Sequence, residues 1–333
     1  MNASKMTGIA AAGALVVMAC LLPSRTEAQT IAQRVSKVRD GKVRMTFASR
    51  EDICGYGNGI STKWDNTSRN RQNWNSDRSE DVVYDASCSE GPVRLVAVMR
   101  DSHIENIRAY VGGAWRPATS EVTDIGNVST RDAVAFLTGI ASSQTGKASS
   151  AAVFATTLAD STDLVKTLSP IASDESLSTD VRGNAVFWLG QSDQPNTTGF
   201  LRSLYSRTAS SGLRDKIIFS LSQQRGVNND WLIDLATNER EPIEMRKKAL
   251  FWVGQTSGSL DRLTKLYSGM SSREMKDQMI FVFSQRHEPA AVDKLIDIAK
   301  NDPDRDVRKK AMFWLGQSHD PKVTAFLTDI ITR

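Results

Sequence analysis

Val181-Arg-Gly-Asn-Ala-Val-Phe-Trp-Leu-Gly-Gln-Ser192 returns as Met245-Arg-Lys-Lys-Ala-Leu-Phe-Trp-Val-Gly-Gln-Thr256 and again as Val307-Arg-Lys-Lys-Ala-Met-Phe-Trp-Leu-Gly-Gln-Ser318, with starts 64 and 62 residues apart. A fixed period of this kind decides the architecture before any single residue is weighed, because repeats are units that bury their apolar faces only by stacking. Midway between the copies lie two relatives, Leu213-Arg-Asp-Lys-Ile-Ile-Phe-Ser-Leu-Ser-Gln-Gln224 and Met275-Lys-Asp-Gln-Met-Ile-Phe-Val-Phe-Ser-Gln-Arg286, so the unit is about 32 residues long. A more diverged copy begins near Ala148, where Ala152, Val153 and Phe154 match Ala185, Val186 and Phe187, which makes six.

A turn and a second amphipathic run follow each strong segment, as in Asp320-Pro321 before Val323, Phe326, Leu327 and Ile330, or Glu288-Pro289 before Val292, Leu295, Ile296 and Ile298. Proline just inside a helix, with an acidic residue ahead of it, marks a helix start. Each unit is therefore a helix hairpin. The expected fold is mainly α: an α-solenoid of about six such hairpins over residues 128–333, preceded by a small β-rich domain.

Numbering each strong helix from 0 at its first residue, and turning about 100° per residue, places positions 0, 4, 7 and 8 on an arc expected to face the core. Large and small residues alternate between positions 4 and 7: Ala185 with Trp188, Ile217 with Ser220, Ala249 with Trp252, Met279 with Val282, Ala311 with Trp314. Filling a fixed gap at close-packed density demands such compensation. Position 6 is phenylalanine in every copy (Phe154, Phe187, Phe219, Phe251, Phe281, Phe313), and position 10 is glutamine in the last five (Gln191, Gln223, Gln255, Gln285, Gln317).

By angle the phenylalanines point away from the core arc, so a Phe and Gln ladder is expected along one face, with Lys216, Lys247, Lys248, Lys309 and Lys310 nearby. Exposed aromatic rows imply that something covers them. Two readings remain open: the rings grip a partner, or they pack on one another at the repeat joints. Gln at position 10 has the same two faces, ligand contact or satisfaction of loose helix-end carbonyls. The position-1 cations Arg182, Arg214, Arg246, Lys276 and Arg308 read as structural, with Asp180, Glu244 and Asp306 just upstream as expected partners.

The pattern Val-Arg-x-x-Ala-x-x-x-Leu-Gly at 181, 245 and 307 resembles the HEAT-repeat helix, in particular the short PBS-lyase HEAT-like repeat, over residues 148–333. That resemblance implies an inner Val-Arg helix and a curved scaffold that binds a protein or peptide on its concave face. Some members of the family attach bilin chromophores; nothing in this chain carries that chemistry over. The first copy departs from the pattern, with Ala148-Ser149 in place of Val-Arg.

Residues 29–127 change period. Lys42 to Phe47 and Val93 to Leu95 alternate as half-buried strands do, and Val82 to Tyr84 and Ile107 to Val111 add two more, with a turn at Asp101-Ser102. A long polar stretch from Gly55 to Glu80 carries Trp64, Asn66, Asn73, Trp74 and Arg78, a combination able to meet a glycan or peptide. Upstream, Lys5, an apolar run from Ile9 to Leu22 and small residues at Thr26 and Ala28 have the layout of a secretory signal peptide ending at residue 28. The competing reading is lipoprotein processing at Cys20.

Removal of the leader leaves Cys54 and Cys88, which in an oxidising compartment are expected to pair; the alternative is two buried thiols. Net charge is +4 overall, and 26 basic against 24 acidic residues follow position 130. That balance lacks the concentrated positive charge of a nucleic-acid binder. His103, His287 and His319 are scattered, and no phosphate loop, nucleophile elbow or zinc helix occurs. No catalytic residue, metal, cofactor or small-molecule ligand is expected, nor a transmembrane helix in the mature chain. The expectation is an exported, periplasmic or secreted, non-enzymatic scaffold, with a bilin-lyase-like enzyme subunit and a carbohydrate-binding β domain on a helical stalk as alternatives.

Overall fold

The computed structural model describes residues 29–57, 59–62, 80–85, 87–143, 146–192, 194–224, 229–255, 260–286 and 288–332. The leader, the loop residues Trp64, Asn66, Asn73, Trp74 and Arg78, and His287 lie outside the described residues. Among those described, the chain is mainly helical, with a small sheet region on its N-terminal side.

That region holds α1 (Ile31–Val35) and eight strands: β1 (Gly41–Phe47), β2 (Ile53–Gly55), β3 (Ile60–Thr62), β4 (Val82–Val83), β5 (Val93–Arg100), β6 (His103–Tyr110), β7 (Ala114–Trp115) and β8 (Val122–Asn127). The main sheet runs β6-β5-β1-β8, so β6 is an edge strand; β1 pairs antiparallel with β5 and parallel with β8. Asp101 and Ser102 join β5 to β6, both with positive φ (48° and 63°), as a two-residue hairpin of type I′ requires. Cys54 and Cys88 are disulfide-bonded, with Cα atoms 5.2 Å apart. No helix among the described residues is long and apolar enough to cross a membrane.

After α2 (Thr130–Ser143) come six helix pairs: α3 (Lys147–Thr157) with α4 (Leu164–Ser173), α5 (Thr179–Gly190) with α6 (Thr197–Arg207), α7 (Ser211–Gln223) with α8 (Asn229–Thr237), α9 (Ile243–Gln255) with α10 (Leu260–Ser268), α11 (Arg273–Ser284) with α12 (Pro289–Asn301), and α13 (Arg305–Leu315) with α14 (Pro321–Thr332). The repeated helices start on a common device three residues before position 0: the side chains of Ser178, Ser210, Ser272 and Asp304 accept from the backbone N–H groups of Val181, Leu213, Met275 and Val307. Such N-caps each stabilise a helix by about 1 kcal/mol. The helices α3, α5, α7, α9, α11 and α13 pack each on the next, and α4 on α6, α10 on α12 and α12 on α14.

One continuous apolar core runs from the sheet (Val43, Met45, Leu95, Ile107) through α2 (Phe136, Leu137, Ile140) to Leu315 of α13. The junction is also bonded through backbone: Asp160 N–H donates to the Ala48 carbonyl and Arg50 N–H to that of Leu158. The edge strand β6 thereby lies against α3.

Core positions of the repeat are 0, 4, 5 and 8; position 5 is fully buried at Val186, Ile218, Leu250 and Ile280 and half-buried at Met312, while Trp188, Trp252 and Trp314 at position 7 are only half-buried. This corrects the expectation that position 7 turns inward in every copy. Two kinds of joint alternate along the row. Where position 7 is small, the helices close in on a glycine at position 9 of the previous copy: a Cβ on Gly190 would lie 2.5 Å from Ser220 Cβ, and one on Gly254 2.3 Å from Val282 Cγ1. Where position 7 is tryptophan, its ring fills the gap instead. The doubled period of the sequence is this alternation.

Gly254→Ala is therefore expected to destabilise the protein by about 1–3 kcal/mol through overpacking, measured by urea unfolding. In an uncrowded helix the same change stabilises by about 1 kcal/mol, so the sign is diagnostic, and adding Val282→Ala should reverse it.

Candidate functional site

The aromatic side chains of the repeats form one unbroken run of nine rings. Phe154 meets Trp188 at 4.9 Å, Phe187 meets Trp188 at 5.0 Å, and Phe187 stacks on Phe219 at 6.2 Å and 4°. Phe219 and Phe251 then flank Trp252, each at 5.0 Å; Phe251 stacks on Phe281 at 6.2 Å; Phe281 and Phe313 flank Trp314 at 5.2 and 5.3 Å. The tilted and edge-on contacts are those that ring quadrupoles favour, each adding about 0.5–1.5 kcal/mol beyond area burial. The phenylalanines thus pack on their neighbours and still keep an open side, being half-buried along the row and, at its end, 55% exposed at Phe313.

Two concavities lie along this row. The first, about 1040 Å³, has the edge strand β6 as one wall (Asn106 to Tyr110) and the aromatic residues Phe154, Phe187, Trp188 and Phe219 as the other. The second, about 510 Å³, takes in Phe219, Phe251, Trp252, Lys247 and Lys248. Lys216 and Phe219 line both, so the two adjoin as neighbouring parts of a groove.

Of the expected ladder residues, Phe187, Phe219, Phe251, Lys247 and Lys248 line this groove; Phe281, Phe313, Lys309 and Lys310 lie further along the same row and line neither concavity. All five glutamines, Gln191, Gln223, Gln255, Gln285 and Gln317, are exposed but stand one turn further along their helices, outside both. Gln223 and Gln285 donate to the adjacent hydroxyls of Ser222 and Ser284, at 3.1 and 3.3 Å. Most of the lysines hold acids: Lys248 with Asp215 at 2.7 Å, Lys247 with Glu244 at 3.2 Å, Lys309 with Asp306 at 3.4 Å; the Lys310 ammonium lies over the Phe313 ring.

The position-1 cations have a structural role, but with other partners than expected. Arg182 and Arg246 donate to the Ala172 and Ala236 carbonyls, and Arg214 and Arg308 to those of Thr208 and Asp302. These are orphan carbonyls at the C-terminal ends of the preceding helices, where the helix dipole favours a cation. Upstream Asp180, Glu244 and Asp306 do not pair with them.

Two alternate joints carry a polar hub that sequence reading missed. Tyr205 donates to Glu241 at 3.0 Å beneath the Arg214 guanidinium, and Tyr267 donates to Asp302 at 2.7 Å beside Lys276, itself 2.9 Å from Asp302. The spacing of about one doubled period between Tyr205 and Tyr267 was the available signal. Burial opposes ionisation of Asp302, yet hydrogen bonds from Tyr267 and Lys276 outweigh it and hold the carboxyl below the usual range; burial and the same bond push the Tyr267 phenol up. On the outer face of the sheet a second buried carboxylate, Asp81, is held below its ordinary value against burial by Lys42, Tyr110 and Arg108.

No family model matches this chain, and no curated protein does.

A carboxyl depressed in the folded state contributes stability that is present above its unfolded pKa and lost as pH falls through the folded value. Asp302→Asn should therefore cost about 2 kcal/mol at pH 7 and flatten the fall in urea midpoint below about pH 4, read from unfolding curves at pH 7, 5, 4 and 3.

Proposed function

We propose that this is an exported, non-catalytic scaffold, a HEAT-like α-solenoid, that binds an extended protein or peptide segment along the groove between its aromatic row and the edge strand β6. The observation that carries this reading is the unbroken run of nine rings, six of which (Phe154, Phe187, Trp188, Phe219, Phe251 and Trp252) are half-buried and line two adjoining concavities. Packing at the joints alone needs only pairs of rings; a row that stays open on one side offers repeated apolar contact to a chain laid across it, as stacked repeats do on their concave surfaces. The sequential packing of α3, α5, α7, α9, α11 and α13 supports the solenoid. The signal-like leader and the disulfide between Cys54 and Cys88 support export, since such bonds persist in oxidising compartments.

A photoreactive benzoylphenylalanine in place of Asn184, which lines the groove, is expected to crosslink a partner in the native envelope, identified by mass spectrometry. The double variant Phe187→Ser and Phe219→Ser should abolish that crosslink while the helical circular dichroism persists. An undiminished crosslink in the double variant contradicts the proposal.

A further inference from the structure

Position 3 of α5, α7, α9 and α13 faces position 2 of the repeated helix before it. Asn184 donates to Ser150 Oγ at 2.7 Å, and Lys248 holds Asp215 at 2.7 Å; Lys310 stands in the same relation to Asp277 and attracts it. At Lys216 the opposing slot is Gly183. A Cβ there would sit 2.1 Å from Lys216 Cδ, so the lysine stem lies across bare glycine backbone. Its ammonium has no carboxylate within ion-pairing distance among the described residues.

The surroundings share that deficit of negative charge. Among the described residues, Asp180 is the single carboxylate lining the β6 concavity, against Lys147, Lys216 and Arg108, of which only Arg108 is matched, by Asp81 at 3.2 Å.

We infer that Lys216, over the empty slot of Gly183, is the anion-recognition point of the groove, and that the occupant is an extended peptide segment placing an Asp or Glu side chain there. This rests on the peptide-groove reading above. Flanking apolar side chains of the same segment meet Phe187 and Phe219. An internal acidic residue fits better than a chain terminus, because the groove continues past Phe219 toward Trp252 and the bound chain passes through. Charge-assisted hydrogen bonds to a partly buried ammonium are about twice as strong as neutral ones.

The test is a random dodecapeptide library tethered through its C-terminus, probed with the full exported chain. The expected result is enrichment of Asp or Glu beside apolar residues. That preference should fall about tenfold, the effect of losing one such interaction, in Lys216→Met, and equally in Gly183→Asp, which supplies the missing carboxylate in cis as Asp215 does for Lys248. Gly183→Ala keeps the preference and controls for crowding. Enrichment without acidic preference overturns this inference and leaves the groove reading standing. Binding seen only in a parallel library with free C-termini also overturns it, by making the ligand a terminal carboxylate. No enrichment over the Phe187→Ser and Phe219→Ser variant overturns both.

Discussion

The contact between one repeated helix and the next governs the rest of this molecule. Six copies of a short helix must stack at nearly constant spacing, and close packing leaves no room for two bulky residues at one joint or for none. The chain meets the constraint in alternation: glycine at position 9 against Ser220 or Val282 at one joint, a tryptophan ring at the other. The Phe–Phe stacks at the close joints and the Phe–Trp contacts at the wide ones follow directly, and together they string nine rings into one row.

Polar groups obey the same two-unit rhythm. Tyr205 with Glu241 and Tyr267 with Asp302 occur at alternate joints, each with a cation over the ring. Between these hubs the arginines at position 1 close off the C-terminal carbonyls of neighbouring helices, so their burial is compensated rather than wasted. Because these groups hold the far side of the row, the aromatic side is left with lysines and a few polar residues. There Lys248 pairs with Asp215 and Asn184 with Ser150 across the joints, whereas Lys216 faces the bare backbone of Gly183.

The repeated helices and the strand segments were legible because each depends on local order: the apolar positions of the repeated segments return at one period, and Lys42 to Phe47 alternates as a pleat does; the caps Ser178, Ser210 and Ser272 were not read from the sequence. The row of phenylalanines was legible for the same reason, since one angle repeats in every copy. The tryptophans were misread because position 7 sits at the margin of the core arc, where the neighbour's size, not the angle, decides exposure; position 5, apolar throughout, was the better core marker. The partners of Arg182 and Arg246 and the wall contributed by β6 were not legible, since both join segments whose proximity only the folded chain creates. The empty slot at Gly183 needed the cross-helix relation of positions 3 and 2, which no single-helix pattern contains.

If the alternation of joints is what builds the row, the rings of Phe219 and Trp252, 5.0 Å apart on successive helices, must be energetically coupled. A double-mutant cycle of Phe219→Ala and Trp252→Ala, followed by urea unfolding, should return a coupling on the order of 1 kcal/mol. The same cycle on Phe187 and Trp314, which share no joint, should return about zero. Additive losses at Phe219 and Trp252 would show that the rings are independent, and the account of the joint would be wrong.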